Sequence, residues 1–139
     1  MILAQILLVY QNVVETYKTH QTDYIGNMHK IRRYPMKIIE KLSNMIEEEI
    51  HDAEKYIRCA LNYKDDKDMR DVAEMFYKLA NEEMGHMNIL HSQVVTLIDN
   101  YRKTEGDPPE AMLMLYDILH RKHIDDAATV KAMISMYKG

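Results

Sequence analysis

Residues 39–97 read IEKLSNMIEEEIHDAEKYIRCALNYKDDKDMRDVAEMFYKLANEEMGHMNILHSQVVTL, and the polar Asp65-Asp66-Lys67 step divides them into two amphipathic runs. Before the step, apolar residues recur every three or four positions at Ile39, Leu42, Ile46, Ala53, Tyr56 and Ala60. After it the same stepping gives Val72, Phe76, Leu79, Leu90, Val94 and Leu97. That period places each set on one face of an α-helix. Each stripe is interrupted, the first at Glu49 and the second at Glu83 and His86. Folded antiparallel about Asp66, the two helices bring Glu49 level with Glu83, because each lies seventeen residues from it. An ionised carboxylate taken out of water costs several kcal/mol unless something neutralises it, so side chains of this type inside a stripe call for a partner.

A metal ion is one such partner. Glu83-x-x-His86 puts an oxygen and an imidazole nitrogen one turn apart on one helix face, and Glu49 on the neighbouring helix can bridge or cap the same ion. Mixed oxygen and imidazole ligation suits iron or manganese, whereas zinc more often takes a compact tetrahedral set. The alternatives stay open at this point. Glu and His are common on helix surfaces, and two buried glutamates can also be neutralised by protons, by a lysine or by His86 itself.

These residues resemble the ferritin-like proteins, and rubrerythrins in particular. Glu49-Ile50-His51-Asp52-Ala53-Glu54-Lys55-Tyr56 is similar to the first ligand helix of a rubrerythrin, with Glu49 as the metal glutamate and Tyr56 as the tyrosine two turns on. Leu79-Ala80-Asn81-Glu82-Glu83-Met84-Gly85-His86 is similar to the second. The likeness covers about residues 38–100. It implies an all-α, ferritin-like antiparallel bundle with iron at Glu49, Glu83 and His86, and ferroxidase- or peroxidase-type oxidoreductase chemistry with O2, peroxide or Fe(II).

The chain departs from that pattern in carrying half a ligand set. A complete site takes two lone glutamates and two Glu-x-x-His pairs from four helices. Here there is one of each; Asp117-x-x-His120 imitates a second pair in poor register, and no cysteine pairs exist for a rubredoxin-type iron centre. Either two copies meet about a twofold axis and share a dinuclear site, as the half-site encapsulated ferritins suggest, or a mononuclear or degraded site remains. A homodimer or larger homo-oligomer is the expectation.

The 139 residues, 47% apolar with 4 Gly, 3 Pro and no Trp, suit a single helical domain with a substantial core. An apolar helix is expected over 1–19, a connector over 20–35 ending at Pro35, the ligand hairpin over 36–104, and a last helix over 108–137 started by Asp107 as cap and the Pro108-Pro109 pair. That helix carries Met112, Tyr116, Leu119, His123, Val130, Ile134 and Tyr137 on one stripe. If it packs antiparallel on the second ligand helix, His123 and Asp126 approach the height of His86 as further ligand candidates, with His120 a turn away. His91 and Asp52 are expected at the rim, and Gly85 suggests a closely approaching backbone.

Other function classes find little support. Residues 1–41 carry six Lys/Arg against three acids, too mild a bias to indicate nucleic acid. No apolar run approaches the length of a membrane span, and Met1–Tyr10 lacks the basic flank and cleavage site of a signal peptide. The single Cys59 fits a reducing, cytoplasmic setting as a small apolar filler. A helical interaction or scaffolding protein, using its Met- and Tyr-rich faces, is the rival to a metal protein.

Overall fold

The computed structural model describes residues 29–139, so the helix expected over 1–19 and the connector up to residue 28 lie outside the described residues. Among the described residues there are three long helices and no strand: α1 (His29–Tyr63), α2 (Arg70–Glu105) and α3 (Glu110–Lys138). The all-helical class is therefore as expected, and the three long helices expected after residue 35 are found among the described residues, while the N-terminal one lies outside them.

Two boundaries differ from the sequence reading. Residues 29–35, assigned to the connector, are helical, and Pro35 lies inside α1 instead of starting it. A proline's fixed φ is itself helical; what the helix forgoes at Pro35 is the backbone hydrogen bond to the carbonyl of Ile31, not its path. At the other end, α3 begins at Glu110 with Pro109 as its flanking residue and no side-chain cap, so Asp107 does not act as one. Instead the Pro109 carbonyl accepts from Met112 and Leu113 at 2.9 and 3.2 Å. The bend before it needs glycine at Gly106, whose φ is +89°.

The α1–α2 connection is a short 3-10 turn, Lys67–Met69, capped by Asp66, whose Oδ1 accepts from the Asp68 amide at 2.9 Å. The two helices run antiparallel: Tyr56 stacks on Phe76 with centroids 6.2 Å apart, and further from the turn Glu49 meets His86. The third helix returns antiparallel to α2, pairing His120 with His91 and Tyr137 with Tyr77. It packs chiefly on α1. Lys122 of α3 bridges Glu47 of α1 and Asp126, and Lys64 Nζ donates to the Met136 carbonyl at 2.9 Å. The last bond satisfies one of the carbonyls that every helix C-terminus leaves unpaired.

Burial shows where the apolar stripes run. The buried line on α1 is Ile39, Ser43, Ile46, Ile50, Ala53, Ile57 and Ala60; on α2 it is Ala73, Ala80, Met84, Met87, Val94, Ile98 and Tyr101. Ala53, Ala60 and Ala80 are wholly inaccessible, and such small side chains let helix backbones approach closely. Leu42, Tyr56, Phe76, Leu90 and Leu97 are only half-buried. The stripe is thus displaced by about one residue from the one read off the sequence, and Glu49, Glu83 and His86 lie along its edge instead of interrupting its centre.

Ile57 is fully enclosed, so Ile57→Ala should lower the unfolding free energy by about 2–5 kcal/mol in urea denaturation. Gly85 is exposed in mid-helix with nothing within 4 Å of where a Cβ would stand, so no close backbone approach explains it. Gly85→Ala should therefore stabilise the protein by about 0.5–1 kcal/mol in the same measurement.

Candidate metal centre

Glu49 lies on one rim of α1, the rim that also carries Leu42 and Tyr56 two turns away on either side. Glu83 and His86 occupy the facing rim of α2. Their height is set by the turn, and the residue count about Asp66 is met: one ligand atom from each of the three side chains lies within 4.8 Å of the other two. His86 Nδ1 donates to Glu83 Oε2 at 2.9 Å and stands 3.5 Å from Glu49 Oε2. No other group of three or more such side chains comes this close among the described residues.

The expectation that all three would be buried is corrected. Side-chain exposure is 17% for Glu83 and 24% for Glu49, but 56% for His86. The carboxylates are half-buried between the two helices, and the imidazole beside them is open to solvent. This follows from the displaced stripe, since Ile50, Met84 and Met87 take the central positions.

The electrostatics are those of two acids sharing limited space. Glu49 is held above the ordinary carboxylate value, first by a hydrogen bond with the Glu83 carboxyl, then by burial and by the Glu83 charge, while His86 pulls it the other way. His86 is held above the ordinary imidazole value, first by its hydrogen bond to Glu83 and further by both carboxylate charges, against some desolvation. Without an ion, the proximity of the groups favours the protonated forms of Glu49 and His86. Two carboxylates and one imidazole from two helices form a donor set that fits a divalent transition ion, which would take the place of those protons. The exposed side of His86 leaves room for further ligands.

The surrounding candidates fall elsewhere. Asp52 pairs with Lys55 at 2.8 Å on the exposed rim, and that ammonium also lies over the Tyr56 ring, 5.0 Å from its centroid. Tyr56 stacks on Phe76. The candidates His123, Asp126 and His120 do not complete the site. Asp126 is engaged by Lys122, and the two histidines line a separate cavity with Ile46 and Met87. The reason is that α3 packs mainly along α1, on the side of the hairpin where Ile46 and Met87 lie.

The sequence reading missed how closely His91 and His120 approach, with Nε2 and Nδ1 3.0 Å apart. A signal existed: counted from the bend at Gly106, they lie fifteen and fourteen residues away, the same mirror relation that pairs Glu49 with Glu83. His123 is also buried, and its Nε2 has no hydrogen-bond partner among the described residues. Leaving such a group unpaired costs about 1–3 kcal/mol.

Both Glu49 and His86 bind protons more tightly in the folded state than in the unfolded one. The stability they contribute is full below their ordinary values and is lost as pH rises through the raised ones. An NMR titration of the metal-free protein should place the His86 midpoint above that of an ordinary imidazole, and Glu83→Gln should bring it down. Comparison with family models, with curated proteins and with solved structures finds no match for this chain.

Proposed function

We propose that the protein is a ferritin-like metal-binding protein that holds iron at Glu49, Glu83 and His86, with manganese or zinc as competing ions. The observation that carries this reading is the convergence of two carboxylates and an imidazole, from two helices, within 4.8 Å. Two carboxylates beside one imidazole are more than a surface ion pair uses, and they are a set that a divalent cation can take. The residues' own part is to present oxygen and nitrogen donors, to release protons as the ion enters, and to leave His86's outer side accessible to a small molecule. Iron held there would supply electron exchange with O2 or peroxide, the oxidoreductase chemistry that the resemblance implies.

Three ligands are half of what a dinuclear bundle site uses. A twofold pairing of two copies over the open rim would give four carboxylates and two imidazoles, and it would cover Leu42, Tyr56, Phe76 and Leu90, which are half-buried in one copy. We therefore read the working form as a homodimer or an assembly of dimers.

A second reading, a helical interaction protein without a working metal site, is favoured by one observation. Ile89, Met136 and Ile124 are 69%, 61% and 52% exposed, large apolar side chains that a partner surface would cover. No described helix is long and apolar enough to cross a membrane, so the membrane interior does not explain them.

Elemental analysis of protein purified without chelator separates the two. One iron per chain, falling at least tenfold in Glu83→Ala while the helical circular dichroism is kept, is the expected result. Absence of metal, with stability unchanged by added Fe(II), would favour the interaction protein. Light scattering of the metal-loaded protein at micromolar concentration should give a dimer or a multiple of it; a strict monomer that still holds an ion would exclude the shared site.

A further inference from the structure

On the other side of the hairpin, α1, α2 and α3 line a half-open cavity of about 280 Å³. Its walls include Ile46 from α1, Met87, Asn88 and His91 from α2, and His120 and His123 from α3. Three of the seven histidines in the chain thus line one cavity, two of them in contact, with no carboxylate among the lining residues. We propose that this cavity is a second, nitrogen-only metal site, taking a borderline divalent ion such as zinc, copper(II) or nickel(II) through His91 and His120, with His123 as the third ligand.

Two independent observations support it. The first is the His91–His120 pair. Their Nε2 and Nδ1 atoms are 3.0 Å apart and their rings are inclined by only 19°. Two nitrogens bound to one tetrahedral ion at about 2.0–2.1 Å stand roughly 3.3 Å apart, so the pair needs to open by only a few tenths of an ångström. As they stand, one ring's N–H donates to the other's lone pair. An entering ion takes the lone pair of both nitrogens once the donor ring's hydrogen has shifted, through solvent, to that ring's other nitrogen; both imidazoles stay neutral, no net proton is lost and no electron is transferred.

The second observation is His123. It is 5% exposed, it lines the same cavity one turn along α3 from His120, and its Nε2 has no hydrogen-bond partner among the described residues. A buried imidazole nitrogen without a partner, on the wall of a cavity that two other imidazoles line, is a donor with nothing yet to donate to. Rotation of its side chain into the cavity completes a three-nitrogen set. Tyr116 stacks on His120 from the far side, 5.1 Å between centroids, and holds that ring in place. Lys131 also lines the cavity, and its charge favours an anion or hydroxide as the ion's fourth ligand.

The ligand chemistry separates this site from the one on the rim. Imidazoles without oxygen donors select borderline ions, whereas two carboxylates with one imidazole accept harder ones. The inference rests on no residue of the Glu49–Glu83–His86 cluster, so either can fail alone.

The test uses full-length Glu49→Gln/Glu83→Gln protein, which lacks the carboxylate donors. Titration with zinc against a chromophoric chelator should still find one tight equivalent per chain, weakened at least tenfold by His91→Ala and again by His120→Ala. Copper(II) electron paramagnetic resonance should count three bound nitrogens, and two in His123→Ala. If an alanine variant does not keep its helical circular dichroism, the matching glutamine variant replaces it. Absence of a zinc equivalent, or affinity unchanged by both His91 and His120 substitutions, would overturn the site; an unchanged nitrogen count in the His123 variant would remove His123 from it.

Discussion

The antiparallel register of α1 and α2 about Asp66 is the constraint on which the rest depends. It is set by a 3-10 turn too short to allow slippage and by alanines at 53, 60 and 80 that admit no other side chain between the backbones. Moving one helix along the other by a single turn would displace Glu49 from Glu83 by about 5.4 Å, more than the present spread of the three ligand atoms. Side-chain rotation alone would not recover that. The chemistry of the rim is therefore decided by packing, through residues that carry no chemistry themselves.

Much of this was legible in the sequence, for identifiable reasons. The helical period and the turn chemistry fixed the hairpin, and counting residues from the turn placed Glu49 beside Glu83. What periodicity could not fix was the direction in which each stripe faces. Steps of three and four through Ile39, Leu42 and Ile46 fit one edge of a broad apolar band as well as its middle, and the band turned out to be centred nearer Ile50 and Ile57, with Met84 and Met87 opposite. Methionine and isoleucine stood on both sides of the assumed line, so composition could not break the tie. The same ambiguity made His86 read as buried. On α3 the sequence identified His123 as a stripe residue, and it is buried, but the choice of neighbour was open: contact with α1 instead of α2 moves its whole environment.

The helix α2 thus separates two collections of donors with different chemical character. Along one rim, two acids crowd an imidazole, and Glu49 and His86 are held above their ordinary values. On the other side, burial keeps His91 and His123 below the ordinary imidazole value, in the neutral form. The hairpin presents the first to solvent and covers the second with α3. Each side has the proton balance that its own type of cation would exploit.

The uneven grip of α3, firm on α1 and slight on α2, carries a consequence for assembly of the chain. The hairpin's contacts join residues near in sequence and close first, at little cost in loop entropy, whereas α3 reaches α1 across some seventy-five positions between Glu47 and Lys122. The acid cluster is complete as soon as the hairpin forms. The histidine cavity exists only after α3 has docked, and it disappears whenever that helix lifts away, even while the hairpin remains intact. The rim cluster therefore depends on one helix pairing, and the histidine cavity on two.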